Sequence, residues 1–195
     1  MIRKILLLLC IIPIAAAAAQ AQDTRRMYFG ISAESSWGQL LPQPPYEAGA
    51  ARFGVHLNLQ SLKYLRQWFG LYFGLSLLNE GGYISSGSNP AERYRLQYFA
   101  LPLGIALTTP LKRNIQFNLQ LGAAGALSIG QYGAINDEAT TVFAPFYQAI
   151  FSMQYHIGQD VYLHVGPSYL RSITSVMDGG AVKAQSIGVR AGIIF

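Results

Sequence analysis

Between residues 27 and 195 apolar side chains recur at every second position, and a period of two is the signature of extended strand. The last segment shows it most cleanly. Ile187, Val189, Ala191, Ile193 and Phe195 fall on one face, and Ser186, Gly188, Arg190, Gly192 and Ile194 on the other. Phe53, Val55, Leu57 and Leu59 oppose Arg52, Gly54, His56, Asn58 and Gln60 in the same way, and Leu71 to Leu77, Ile115 to Leu121, Ala149 to Tyr155 and Val161 to Val165 repeat it. Nowhere beyond the N-terminus is there an uninterrupted apolar run of 18 residues, so the pattern contains no spanning helix.

With a first run at Tyr28 to Glu34 and another at Arg95 to Thr108, the count reaches eight strands. The connections after strands one, three, five and seven read as long: about Trp37 to Ala50, Asn79 to Tyr94, Gly130 to Thr141 and Ser172 to Ala184. Those after strands two, four and six read as short: about Ser61 to Gln67, Thr109 to Asn114 and Gly158 to Asp160. Long loops at one end and short turns at the other are the arrangement of transmembrane barrels.

Composition then decides which face meets which solvent. Half the chain (51%) is hydrophobic and only 12% is charged, against roughly 25% for a soluble domain. The 12 Tyr, 10 Phe and 2 Trp exclude a disordered chain. A soluble barrel would turn its apolar parity inward and cover the outside with charge. Here the polar parity is dominated by Gly, Ser, Ala, Gln and Asn, which suit a narrow lumen rather than a water-facing surface. The apolar parity is bulky. It gathers aromatics at both strand ends, with Phe29, Phe69, Tyr155 and Phe195 toward the short turns and Phe143, Tyr147 and Tyr169 toward the long loops. Two aromatic girdles around an aliphatic band match a lipid-facing surface. The expected fold is therefore all-β, an eight-stranded antiparallel up-and-down transmembrane β-barrel. An open sheet edge in hydrocarbon would strand backbone polar groups, so strand eight must pair with strand one. A barrel this narrow is filled by side chains, which argues against a porin.

Residues 1–21 read as a secretory signal: Arg3 and Lys4, then apolar Ile5 to Ile14, then Ala19-Gln20-Ala21 as a cleavage site. A short tail, 22–26, and the barrel, 27–195, complete the expected organisation. Cys10, the one cysteine, lies inside the signal, so the exported chain would carry no disulfide and no cysteine metal site. Removing Arg3 and Lys4 from the 14 basic residues leaves 12 against 9 acidic, a net charge of about +3, too small and scattered to argue for nucleic acid.

Two motifs carry a resemblance. Ser186-Ile187-Gly188-Val189-Arg190-Ala191-Gly192-Ile193-Ile194-Phe195 resembles the C-terminal assembly signal of bacterial outer-membrane proteins, which ends in an aromatic residue. Tyr98-Phe99-Ala100-Leu101-Pro102-Leu103 resembles a Tyr-x-x-x-Pro-Leu element of the fourth strand. With these, residues 27 to 195 are similar to the PorT-like outer-membrane β-barrel family common in Bacteroidota, and less specifically to OmpA-like and OmpX-type barrels. The resemblance implies an eight-stranded barrel without shared enzymatic residues, located in the outer membrane, with Phe195 as the feature read by the barrel-assembly machinery. The link of PorT itself to protein secretion is not carried over. In the fourth strand Tyr94, Leu96 and Tyr98 fall on one parity and Phe99 to Leu107 on the other, and a β-bulge near Tyr98 would return both halves to the lipid side.

Among candidate chemistry, lumen parity places Glu34, Arg52 and Arg95 near the long loops with His56 and Arg190 deeper. Charges inside a barrel must be paired. A structural network centred on Glu34 with Arg52, and with Arg95 or Arg190 nearby, is expected. His164 and Ser168 share one face of strand seven, and lipid-modifying hydrolase barrels of the PagL kind use a His and a Ser. Parity puts this pair inside, away from lipid, and no acidic residue stands at an offset that would orient the imidazole. His56, His156 and His164 are too dispersed for a metal motif. No catalytic residue, cofactor or metal is therefore assigned. The expected role is non-enzymatic, structural or interactive, with outer-membrane lipid and lipopolysaccharide around the wall and a protein or envelope partner at the loops, Leu40 to Tyr46 and Gly81 to Arg93 among them. The alternatives are a lipid-modifying barrel enzyme and a soluble ligand-carrying barrel.

Overall fold

A computed structural model describes residues 27–42, 46–86, 92–110, 113–132, 142–158, 160–177 and 182–195. The signal and the tail lie outside the described residues. Eight strands follow one another: β1 (Met27–Pro42), β2 (Tyr46–Arg66), β3 (Phe69–Ser86), β4 (Glu92–Thr108), β5 (Ile115–Tyr132), β6 (Phe143–Gly158), β7 (Val161–Ser172) and β8 (Val182–Ile194). Each pairs antiparallel with its neighbour in sequence, and β8 returns to β1 to close the barrel. Reciprocal backbone bonds between Phe29 and Phe195, both 2.7 Å, seal that seam.

The strands are longer than the periodicity predicts. Much of what reads as loop, including Leu40-Leu41-Pro42 and Asn79 to Ser86, is continued ladder, so the connections after β1 and β3 are shorter than expected while those after β5 and β7 remain long. Strands of 12 to 21 residues also exceed the roughly 9–11 needed to cross a bilayer. The surplus extends the barrel beyond the membrane at the loop end. At the other end the second and third turns match their expected places, with Arg113, Asn114 and Asp160 at positive φ, whereas Ser61 to Arg66 continue β2 and the first turn is Gln67–Trp68.

Through the lower part of the barrel the expected parity holds. Phe29, Ile31, Phe53, Val55, Leu57, Leu59, Leu71, Leu103 and Ile193 point outward and are exposed, while Ser32, Asn58, Gln60, Ser76, Gln120 and Ser152 are buried inside. From Phe29 to Trp37 the belt runs eight residues, about 26 Å of strand. Strand tilt reduces that to about 20 Å of thickness, close to the apolar band of an outer-membrane barrel. Leu57 pairs with Ala33 near the middle of this belt. Leu57→Arg is expected to destabilise the barrel by about 2–4 kcal/mol in phospholipid vesicles, as read by denaturant titration.

The expectation for β4 is overturned. Tyr94, Leu96 and Tyr98 do not reach the lipid side; all three are fully buried inside the barrel. A bulge does sit beside Tyr98, since Gln97 pairs with Gly130 and Tyr98 with Ser128. The extra residue is Ile129, on β5, and the facing of β4 is unchanged through it. The surroundings change instead. Above the belt the strands have left lipid, so polar Asn79, Arg95, Gln97, Arg171 and Lys183 occupy the outward parity. Leu40, Leu78, Ile84, Tyr94, Leu96, Tyr98, Phe146, Leu170 and Val182 form an apolar core on the inward one. Val176 and Met177, just past β7, fold over this core, and the Tyr98 hydroxyl donates to the Val176 carbonyl at 3.4 Å.

The level where polarity inverts is traced by two runs of paired residues, one across β2, β1, β8 and β7 and one across β3, β4, β5 and β6. Trp37 pairs with Phe53 and with Ile187, Ile187 with Tyr169, Leu77 with Phe99, Phe99 with Leu127, and Leu127 with Phe143. Large apolar and aromatic residues, with Gln39, Gln185, Arg171, Asn79 and Gln97 above most of them, are what the edge of a bilayer imposes on a barrel.

Close packing in the lower lumen depends on glycine. Gly104 and Gly122 face each other across β4 and β5, and Tyr72 lies over both. A Cβ at residue 104 or 122 would first strike the facing backbone, the Leu121 or Leu103 carbonyl oxygen, and would also press on Tyr72, whose hydroxyl accepts from Gln148 Nε2 at 2.8 Å. Gly122→Ala is expected to cost about 1–3 kcal/mol of folding stability in a urea titration. Adding Tyr72→Leu should recover part of that loss, because the displaced ring is then gone.

Candidate functional site

The charged cluster inside the barrel sits between the small-residue lumen and the apolar core. Its centre is Glu34 on β1, whose two ladder partners are His56 on β2 and Arg190 on β8. All three side chains point inward, so registry alone brings them together. Arg190 donates to Glu34 Oε2 from Nε at 2.9 Å and from Nη2 at 2.8 Å. Glu34 Oε1 faces His56 Nδ1 at 3.2 Å, and His56 Nε2 faces Glu80 Oε1 at 3.0 Å. The Ser186 hydroxyl donates to the same Glu80 oxygen at 2.9 Å, and Ser36 Oγ lies 3.3 Å from His56 Nε2. The chain Arg190, Glu34, His56, Glu80, Ser186 thus begins and ends on β8.

Both ring nitrogens of His56 meet a carboxylate oxygen. A doubly protonated ring donates to both at once. None of the four charged residues is more than 6% exposed. Burial makes such a cluster costly to assemble and costly to break, since removing one member strands another's charge. With Leu78, Gln148, Ile150 and Leu170 packed around it, the cluster fills the cross-section. Its contacts tie β1, β2, β3 and β8 to one another inside the barrel.

The sequence-predicted network is placed in part. Glu34 and Arg190 meet as expected, while the ladder sets His56, not Arg52, opposite Glu34. Arg52 pairs with Gly38, about 13 Å further along the strand. Arg95 is on the outer wall, where its Nε donates to Asn79 Oδ1 at 3.0 Å. Its assignment to the lumen followed from the same misreading of β4. Glu80 was missed because it falls within a stretch read as loop. Continuing the inward parity of Tyr72, Gly74 and Ser76 through Leu78 reaches it.

His164 and Ser168 are both buried inside, four residues apart on β7, and lie over different parts of the lumen. His164 Nε2 and Ser168 Oγ are not hydrogen-bonded to one another. No cluster of three or more potential metal ligands occurs among the described residues.

No protein-family model matches the chain, and no curated protein sequence matches it. Solved structures do. The chain is similar to Neisserial surface protein A, with 10% identity and a TM-score of 0.55 over 85% of this chain and 95% of that one. It is also similar to the outer membrane protein OprG from Pseudomonas aeruginosa, with 9% identity and a TM-score of 0.58 over 87% and 95% of the two chains. At such identities the likeness is one of fold, and the fold is that of a bacterial outer-membrane β-barrel.

Proposed function

We propose that this chain is a non-enzymatic integral outer-membrane barrel of the PorT-like kind, with a structural or interaction role at its loop end. The observation that carries this reading is the inversion of wall polarity along the strands, with an exposed apolar belt below and mostly polar side chains above it on the outward face. Residues 1–21 direct export and are removed, and 22–26 form a short periplasmic tail. Short turns and both mature ends face the periplasm, and the opposite end faces outward. The closed interior supports a scaffold rather than a channel: an apolar core, a charged plug and Tyr72 succeed one another along the lumen.

Lipopolysaccharide is the natural neighbour of the upper wall. A groove of about 450 Å³ there is lined by Arg52, Asn79, Tyr83 and Arg95, just above Phe53 and Val55. Guanidinium groups at this height suit lipid phosphates. The barrel-assembly machinery is the partner in insertion, with Phe195 as its signal. Outer-membrane fractionation with heat-modifiable migration on a denaturing gel tests the location, and recovery in the soluble periplasm would refute it. Mass profiles of lipid A with and without the protein test the absence of lipid-modifying activity; an unchanged profile is expected.

A further inference from the structure

On the upper wall the ladder between β2 and β3 slips. Ala51 pairs with Gly82 and Leu57 with Leu77, so residues 52–56 of β2 stand against residues 78–81 of β3, five against four. An extra residue of this kind bends its strand and re-aims a side chain. Arg52 shows the effect. Against β1 it pairs with Gly38, on the inward parity that His56 shares, yet it lines the outer-wall groove together with Phe53 and Val55. Gly81 makes room for it: a Cβ there would strike the Tyr94 carbonyl oxygen and stand 3.0 Å from Arg52 Nη1.

The slipped seam brings two cations to one place. Arg95 is the ladder partner of the same Gly81, and the bond from its Nε to Asn79 Oδ1 holds its guanidinium beside the groove. Tyr83 completes the polar part of the lining, and none of the described lining residues is acidic. Like charges converging on a concave site focus a positive potential, and planar guanidinium groups match the oxygens of a phosphate. Position then identifies the molecule that carries the phosphate. Phe53, 54% exposed and packed edge-to-face on Trp37 with ring centroids 6.1 Å apart, marks the top of the apolar belt. Val55, Leu57 and Leu77 continue the belt below the groove as an exposed apolar track. An anion held just above hydrocarbon, with such a track leading from it into the bilayer, fits a lipid headgroup whose acyl chains lie on the wall.

We infer that the β2–β3 seam is a discrete binding site for a phosphorylated glycolipid of the outer leaflet, with Arg52 and Arg95 clamping one phosphate and the acyl chains lying on Val55, Leu57 and Leu77. The inference rests on the membrane reading above, whose orientation makes the lipid one of the outer leaflet. It adds that a single seam, rather than basic charge spread around the rim, does the selecting.

The test uses the refolded barrel, isotopically labelled, in a maltoside detergent, since a phosphocholine detergent would carry the same group. Lipid A, lipid A stripped of its phosphates, and inorganic phosphate are each titrated while the arginine Nε resonances are recorded. Saturable shifts of Arg52 and Arg95 are expected with lipid A. The stripped lipid and inorganic phosphate should each bind about tenfold more weakly or not at all. Arg52→Gln and Arg95→Gln should each weaken lipid A binding about tenfold, the lower end of what a charge-assisted hydrogen bond is worth. Arg171→Gln removes a cation from the outer wall of β7, away from the groove, and should change the affinity less than about twofold. The three ligands are compared on the unaltered chain, so the proposal is tested even where a variant fails to fold. Absence of saturation with lipid A, equal binding of the stripped lipid, inorganic phosphate bound as tightly as lipid A, or an equal loss from Arg171→Gln would each overturn the proposal. These titrations are read on the isolated barrel, so a negative result removes the site and leaves the membrane location to the fractionation that tests it.

Discussion

Replacing Glu34 by alanine is expected to lower the folding stability of the barrel by about 3–5 kcal/mol in a denaturant titration in vesicles. Glu34 accepts two hydrogen bonds from Arg190 and one from His56, and all three groups are buried. Its loss leaves the Arg190 guanidinium without a counter-charge in a region closed to water. The double variant with Arg190→Met should recover much of the loss, because a buried pair is far cheaper to remove whole than by halves. A double-mutant cycle separates this network from the one that parity alone suggests. Strong coupling is expected for Glu34 with Arg190. Coupling with Arg52 should be much weaker, since Arg52 stands about 13 Å further along the strand and distant sites tend to act additively.

Tyr98→Ala is expected to cost a further large amount, about 3–5 kcal/mol, the range for deleting a buried aromatic side chain. Tyr98 is fully buried in the apolar core and meets Phe146 edge-to-face with ring centroids 5.6 Å apart. Its hydroxyl also donates to the segment that caps the core. Were Tyr98 on the lipid side, as its position in the sequence pattern first implies, lipid tails would fill the space and the loss would be small. Phe146→Ala should behave similarly, with marked non-additivity in the double variant because the two rings are in contact.

The contrast between these sites explains what was legible in the chain. Through the membrane the outside is hydrocarbon and the inside is cramped and polar, so one rule governs every strand. Ile187 to Phe195 and Phe53 to Leu59 therefore declare their facing, the strand count and the solvent. Parity places Glu34 and Arg190 on the same inward face, but which residues stand opposite Glu34 depends on how the strands register. Above the bilayer the rule reverses, because water is outside and a soluble-type core is inside. At Tyr94 to Phe99 the two regimes meet within one strand, and apolar residues on successive parities imitate a shift of facing. Arg95 and Glu80 were both displaced by this effect, one assigned inward and the other to a loop.

The alternation of lipid and interior along one strand is the most direct test of the barrel's orientation toward its solvent. Cys10 is the one cysteine in the sequence, so single cysteines introduced one at a time at residues 53 to 60 of a chain beginning at residue 22 can be spin-labelled without background. In phospholipid vesicles, collision with dissolved oxygen should be high and collision with a water-soluble nickel chelate low at 53, 55, 57 and 59. Positions 54, 56, 58 and 60 should be shielded from both. Odd positions open to the nickel chelate, or no alternation at all, would contradict a lipid-facing belt.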